Sequence, residues 1–262
     1  MKNTITVNFG VPPGDAAVSQ AMPVFATACA VLSFICLIFA VKHTLKYKTP
    51  MPIIMVIAGF CSIPMEAIVC HLGHCWHPVV GQNTLYNSLG ISVPLWLFFG
   101  YCFYFAGPYM AAFSRIANNS FTSKEVWIGF FGAVIGAMII EIYAVHNHVW
   151  IYYDHQALWF WKSTIPVTWA FINATCVFVP LTAIKFLFPI LIGWKQWLII
   201  VLSPMFAIMG HLGAGFPFYL VNNSAASSNR GLMDLSGVAS ILMSLLLIFI
   251  CNKVLTFKQQ IS

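Results

Sequence analysis

Charge is what this sequence has least of: Asp, Glu, Lys and Arg together make up 7% of its 262 residues, against roughly a quarter in an ordinary soluble domain. So few ionised groups cannot cover the surface of a water-soluble fold of this length. Only six residues are acidic, and they include no aspartate-rich pair of the kind that holds magnesium for diphosphate ionisation. The phosphate-cradling GxxxxGK[ST], the Rossmann glycine pattern, the G-x-S-x-G elbow and HExxH are all missing. Internal repeats, paired broken helices and low-complexity segments are missing too. The first twenty residues hold Pro12, Pro13 and Asp15 and no basic-then-apolar pattern, so no cleaved signal peptide is expected.

What is there is apolar: 60% hydrophobic and 16% aromatic residues, with 23 Phe and 9 Trp, a richness that suits lipid-facing helices and interfacial belts. Crossing about 30 Å of hydrocarbon takes roughly 20 apolar residues. Stretches of that kind fall at 22–42, 51–71, 92–113, 125–146, 164–186, 195–215 and 233–252. They predict an all-α, polytopic transmembrane bundle of about seven spans, divided into an outer segment 1–21, one membrane domain 22–252 and a short basic tail 253–262. The second stretch is interrupted by Pro64 and Glu66, and the sixth runs out through Gly213, Gly215, Phe216 and Pro217.

With the N-terminus outside, Lys42, Lys46, Lys48, Arg115, Lys124, Lys185, Lys195, Lys253 and Lys258 fall on the inner side, and only Lys2, Lys162 and Arg230 fall outside. This positive-inside bias predicts an outer N-terminus and a cytoplasmic C-terminus. The formal charge of +6 is therefore read as topology. It is not gathered into the basic stripe that nucleic acid requires, and no nucleic-acid partner is expected. Membrane lipids are the expected surroundings.

A few polar residues interrupt the spans. On a straight helix rising 1.5 Å per residue, Glu66 lies about 22 Å from the inner end at Met51, in the outer part of the bilayer. Glu141 near the end of the fourth stretch, Asn173 in the fifth, His211 near the end of the sixth and Asp234 at the start of the seventh fall at the same depth. An ionisable residue in a span costs a few kcal/mol on insertion scales, so it faces the bundle interior or a wet cavity and marks function by default. The competing readings are plain ones. Glu66 and Glu141 either act chemically or satisfy a structural hydrogen bond; Asp234 is either an acid or a helix cap; Asn173 and His211 either bind substrate or tie helices together.

Seven of the eight histidines lie on the predicted outer side. The run His71, His74, Cys75, His77 offers nitrogen and sulfur ligands at short spacing, which makes His71, His74 and His77 weak metal candidates. No cofactor is expected from the pattern as a whole. Cys70 and Cys75 are alternatively a disulfide if that face is oxidising. The polar and aromatic stretch from Tyr152, Tyr153 and Asp154 through His155 to Trp159 and Trp161 reads either as an interfacial belt or as a lid over a lipophilic pocket. Aromatic faces lining such a pocket would stabilise a passing cation.

Glu66, Leu72-Gly73-His74, Pro78, Gly81, Pro94-Leu95-Trp96, Tyr152-Tyr153, Gln156, Trp169-Ala170-Phe171 and Asn173 together resemble a group of uncharacterised small multi-pass membrane proteins of bacteria, chiefly actinobacteria. The likeness covers about residues 60 to 225 and departs at Asp154 and Ala157, where that group has a small residue and a proline. It implies the helical fold, a site on the outer face and a bacterial inner (plasma) membrane, without implying a reaction. In size, span number and carboxylate depth the chain also resembles the small seven-helix membrane terpene cyclases of fungal meroterpenoid pathways. That analogy implies acid roles for Glu66 and Asp234.

These readings converge on one expectation: an acid–base cyclase or isomerase of a lipophilic, terpenoid-like small-molecule substrate. Its catalytic residues would come from Glu66, Glu141 and Asp234. His74, Tyr152, Tyr153, Asp154, Trp169, Asn173 and His211 would contact the substrate. A transporter or ion relay and a lipophilic-ligand binding protein without catalysis are the alternatives.

Overall fold

Among the described residues, 14–160 and 165–258 of a computed structural model, eight α-helices form one bundle. They are α1 (Met22–Tyr47), α2 (Met51–Phe60), α3 (Met65–Gly73), α4 (Trp96–Ala117), α5 (Ser123–His146), α6 (Val167–Leu187), α7 (Ile199–Asn222) and α8 (Arg230–Thr256). Residues 1–13 of the predicted N-terminal segment, Trp161 of the aromatic stretch, the outer-side Lys162, and the last four residues of the predicted tail lie outside the described residues.

Five of these helices are long and apolar enough to cross a bilayer, six if α2 and α3 count as one bent span. This architecture fits a multi-pass membrane protein. α4 is 22 residues long but is not among the five, because its three tyrosines, two glycines, Pro108 and Arg115 dilute its apolar character. Outward-facing Val24, Phe34, Ile38, Phe39 and Leu45 on α1, and Ile128, Ile135 and Ile139 on α5, leave apolar faces that lipid would cover. α6 is the central post. In its most apolar window 67% of the residues are buried, against 22% for α1 and α5, and it packs on α5, α7 and α8 while α1, α2 and α4 form the other half.

Helix ends follow local chemistry. α5 opens on a capping box in which Thr122 and Glu125 satisfy each other's backbone N–H groups. α8 opens at Arg230, where the Asn229 side chain accepts the Leu232 N–H at 3.1 Å. Asp234 is therefore not the cap; it lies one turn inside the helix. The second predicted span is not one straight helix: residues 61–64, ending in Pro64, break it into α2 and α3 with a 47° bend. The straight-helix depth of Glu66 does not survive that bend. α7 runs seven residues beyond its expected end, through Pro217 to Asn222, with the Ser240 hydroxyl of α8 accepting the Phe218 N–H. His211 is consequently mid-helix rather than terminal. α8 likewise reaches Thr256, so the tail begins later than residue 253.

The chain is not wholly helical. Three small antiparallel ladders occupy the loops at one end of the bundle: β1 (Cys75–Trp76) with β4 (Ile151–Tyr152), β2 (Thr84–Ser88) with β3 (Ile91–Pro94), and β5 (Trp159–Phe160) with β6 (Ile165–Pro166). β2 and β3 join through Leu89 and Gly90, both at positive φ, the geometry of a tight hairpin turn. The same end gathers the N-terminal segment, whose Val18 N–H donates to the Val80 carbonyl at 3.0 Å.

Gly73 closes α3 directly under the Trp169 indole of α6, and a Cβ there would overlap the ring. Gly132 on α5 has open space around it. Gly73→Ala is expected to destabilise the bundle by about 1–3 kcal/mol, the usual cost of overpacking, and Gly132→Ala, in open space within α5, to leave its stability unchanged or raise it by up to about 1 kcal/mol; thermal melting in detergent measures both.

Candidate functional site

A cavity of about 160 Å³ lies toward the loop-rich end of the bundle, between α1, α3, α4, α5, α6 and α7. Of the residues singled out in the sequence, Glu66, Glu141, Tyr152, Trp169, Asn173, His211 and His77 line it. Asp234, His74, Tyr153, Asp154 and His71 do not. Two carboxylates far apart in sequence thus share one largely apolar chamber.

Glu66 is the more heavily tied. Its Oε1 lies 2.7 Å from His77 Nε2 and accepts the Cys70 thiol at 3.2 Å, while its Oε2 accepts the Tyr101 hydroxyl at 2.6 Å. Glu66 and Cys70 are four residues apart on α3, so they share a face. His77 reaches them because α3 ends at Gly73, His74 takes a left-handed turn, and β1 carries the chain back over the helix end. Tyr101 comes from α4 across the chamber. Glu141, one turn and a half before the end of α5, receives the Trp150 indole N–H at 2.9 Å and the Tyr152 hydroxyl at 3.0 Å from both oxygens.

The remaining wall is aromatic. Phe25 of α1 meets Trp96 edge-on at 5.1 Å and Trp150 edge-on at 5.6 Å, and Trp96 stacks on Trp150 at 6.3 Å. His211 is held by the Tyr219 hydroxyl, one end of a 2.9 Å hydrogen bond to Nδ1, and its ring packs against Trp169. The backbone carbonyl of Asn173 accepts the Tyr104 hydroxyl. Tyr101 and Trp150 were not among the sequence candidates, and Cys70 and Trp96 entered only as a disulfide alternative and as part of the resemblance. Nothing in the sequence pairs Tyr101 with Glu66 across 35 positions, whereas Trp150, nine residues after Glu141, stood within reach of a helix-and-return reading.

The other candidates have separate places. Asp234 accepts the Leu158 N–H at 2.8 Å and pairs with Arg230 at 2.8 Å, pinning the loop before α6 to the start of α8. Gln156, fully buried, donates to the Gly73 and Tyr153 carbonyls and accepts the Trp169 indole N–H. Of the histidine run, only His77 enters a ligand-like cluster: His71 is exposed, and His74 stacks on Tyr153 at 5.0 Å with its Nδ1 2.8 Å from Asp154. Cys70 and Cys75 are free thiols rather than a disulfide, although they lie in contact. Among the described residues of the aromatic stretch, Tyr152 alone enters the chamber.

No family profile, curated protein or solved structure matches the chain.

Two outcomes test this site. Tyr101→Phe removes a donor from a buried carboxylate, and the melting temperature in detergent is expected to fall by an amount equivalent to about 1–3 kcal/mol. His74 lies in the loop beyond α3, where burial holds its pKa below the usual 6.5 against the opposing pull of Asp154 and Asn223. The unfolded chain therefore takes up this proton first. Its contribution to stability is complete above 6.5 and declines as the pH falls through the lowered folded value. A pH series of melting curves should show His74→Gln less sensitive to acid than the wild type, and identical slopes would contradict the assignment.

Proposed function

We infer that the chain is a membrane-integral acid–base enzyme that isomerises or cyclises a lipophilic substrate whose reacting end enters the chamber. The observation that carries this reading is the pair Glu66 and Glu141, each with its own donors, lining one aromatic cavity from separate helices. Glu141 has only neutral partners, and an uncompensated carboxylate is expensive away from water; it is assigned the proton-donating role. Glu66, beside the His77 imidazole, takes the accepting role. A proton placed by Glu141 on an alkene carbon or an epoxide oxygen leaves a cation, which the faces of Trp96, Trp150 and Trp169 would stabilise. Loss of a proton toward Glu66 completes an isomerisation.

The volume narrows the substrate. An engineered cavity of about 150 Å³ accommodates benzene, so a chamber of about 160 Å³ suits one unsaturated unit rather than a folded polycyclic chain. The resemblance to small membrane terpene cyclases supports the chemistry but not the residue assignment: Glu141 replaces Asp234 as partner to Glu66, and Asp234 positions the 157–158 loop. Counting α4 and the bent α2–α3 pair as crossings gives seven spans, with the N-terminus outside and the C-terminus in the cytoplasm of a bacterial inner membrane. The distribution of Lys and Arg supports this orientation.

The test is proton exchange. Protein in lipid nanodiscs is incubated in D₂O with prenyl alkenes of increasing length, and deuterium at carbon is read by mass spectrometry. The wild type is expected to label a short prenyl probe, Glu66→Gln and Glu141→Gln to lose about 100-fold or more, and Asp234→Asn to lose far less. Lipid that binds without labelling would replace this reading with non-catalytic ligand binding.

A further inference from the structure

We propose that Glu66, Cys70 and His77 form a binding site for one divalent transition metal of the zinc class. One ligand atom from each residue, Glu66 Oε1, Cys70 Sγ and His77 Nε2, lies within 4.8 Å of the other two. A carboxylate oxygen, a thiol sulfur and an imidazole nitrogen converging on one point are a donor set that zinc takes readily.

The spacing decides how little has to move. Tetrahedral zinc with a sulfur at about 2.3 Å and a nitrogen at about 2.0 Å separates those two atoms by about 3.6 Å; Cys70 Sγ and His77 Nε2 are 3.7 Å apart. The same geometry asks for about 3.5 Å between sulfur and oxygen and about 3.3 Å between nitrogen and oxygen, against 3.2 Å and 2.7 Å here. The sulfur–nitrogen pair is already at metal spacing, and only the carboxylate has to retreat, by roughly half an ångström on these bond lengths.

The surroundings agree. His77 is 2% exposed, and the ring nitrogen that it turns toward Glu66 and Cys70 is Nε2. Tyr101 holds the second oxygen of Glu66 at 2.6 Å, the kind of outer hydrogen bond that orients a ligating carboxylate. Charge balances as well: one carboxylate, one thiolate and one neutral imidazole around a doubly charged cation sum to zero, which spares the apolar chamber an uncompensated ion. All three residues line the cavity, as does Cys75, so a fourth position faces the chamber.

This inference goes beyond the acid–base reading and does not depend on it: a bound ion would occupy Glu66 Oε1, the oxygen not held by Tyr101, and take Glu66 out of the proton-accepting role, and metal content is measured without turnover. Protein made without a histidine tag is stripped with chelator in detergent, reloaded with Zn²⁺ or Co²⁺, freed of excess metal, and measured for metal per chain and for cobalt–thiolate absorption. The wild type is expected to hold about one ion and to show that absorption. Cys70→Ala and His77→Ala should lower occupancy about tenfold or more at the same free metal, while Glu141→Gln and the double variant His71→Ala/His74→Ala retain it. Wild-type protein without stoichiometric metal or without the cobalt–thiolate band overturns the proposal, and so does metal that persists in Cys70→Ala. The wild-type spectrum decides even if a variant fails to fold.

Discussion

Glu66 is the constraint around which this end of the bundle is arranged. A carboxylate among apolar helices costs several kcal/mol unless its oxygens are supplied with donors. Three donors reach it from three places: Cys70 from its own helix, Tyr101 from α4, and His77 from the loop that folds back after α3. The 47° bend between α2 and α3 and the left-handed turn at His74 make that convergence possible. A straight, uninterrupted second span would carry His77 away from the helix it now covers. Bend and turn bring the donors of this one buried acid together.

A second knot steadies the first. Gly73 admits the Trp169 ring, Gln156 binds the Gly73 carbonyl and the Trp169 indole together, and Asn222 and Asn223 of α7 and the residue after it hold the Leu72 carbonyl. These contacts join the end of α3 to α6, α7 and the loop before α6. Arg230 reaches the Gln156 carbonyl from α8, and Asp234 holds the next loop residues. The polar residues at the loop-rich end thus fall into two groups: one surrounding the chamber, the other clamping the loops above it. Asp234, His74 and Asp154 belong to the clamp.

The division between these groups was hidden in the sequence for a definite reason. Insertion cost marks every polar residue in an apolar run equally, so Glu66, Glu141, Asn173, His211 and Asp234 looked alike. Side-chain direction separates them, and direction depends on helix phase, bends and end points that shift by residues. Pro64 placed the break correctly, yet the angle it produces was not readable. Pro217 and two nearby glycines suggested an early end to α7, but packing against Ser240 of α8 carries the helix past them.

Composition and period by themselves determined that the chain is a bundle of long apolar helices, because burying or lipid-coating 60% hydrophobic residues leaves few other solutions. They also picked out a handful of polar positions toward one end of the bundle. Tertiary structure alone decided which of those positions meet. Glu66 and Glu141 face each other's chamber, His77 rather than His71 or His74 joins the carboxylate, and Tyr101 and Trp150 complete the two sites. Such pairings arise from contacts between distant segments, whose geometry is set by packing across the whole bundle rather than by local sequence pattern.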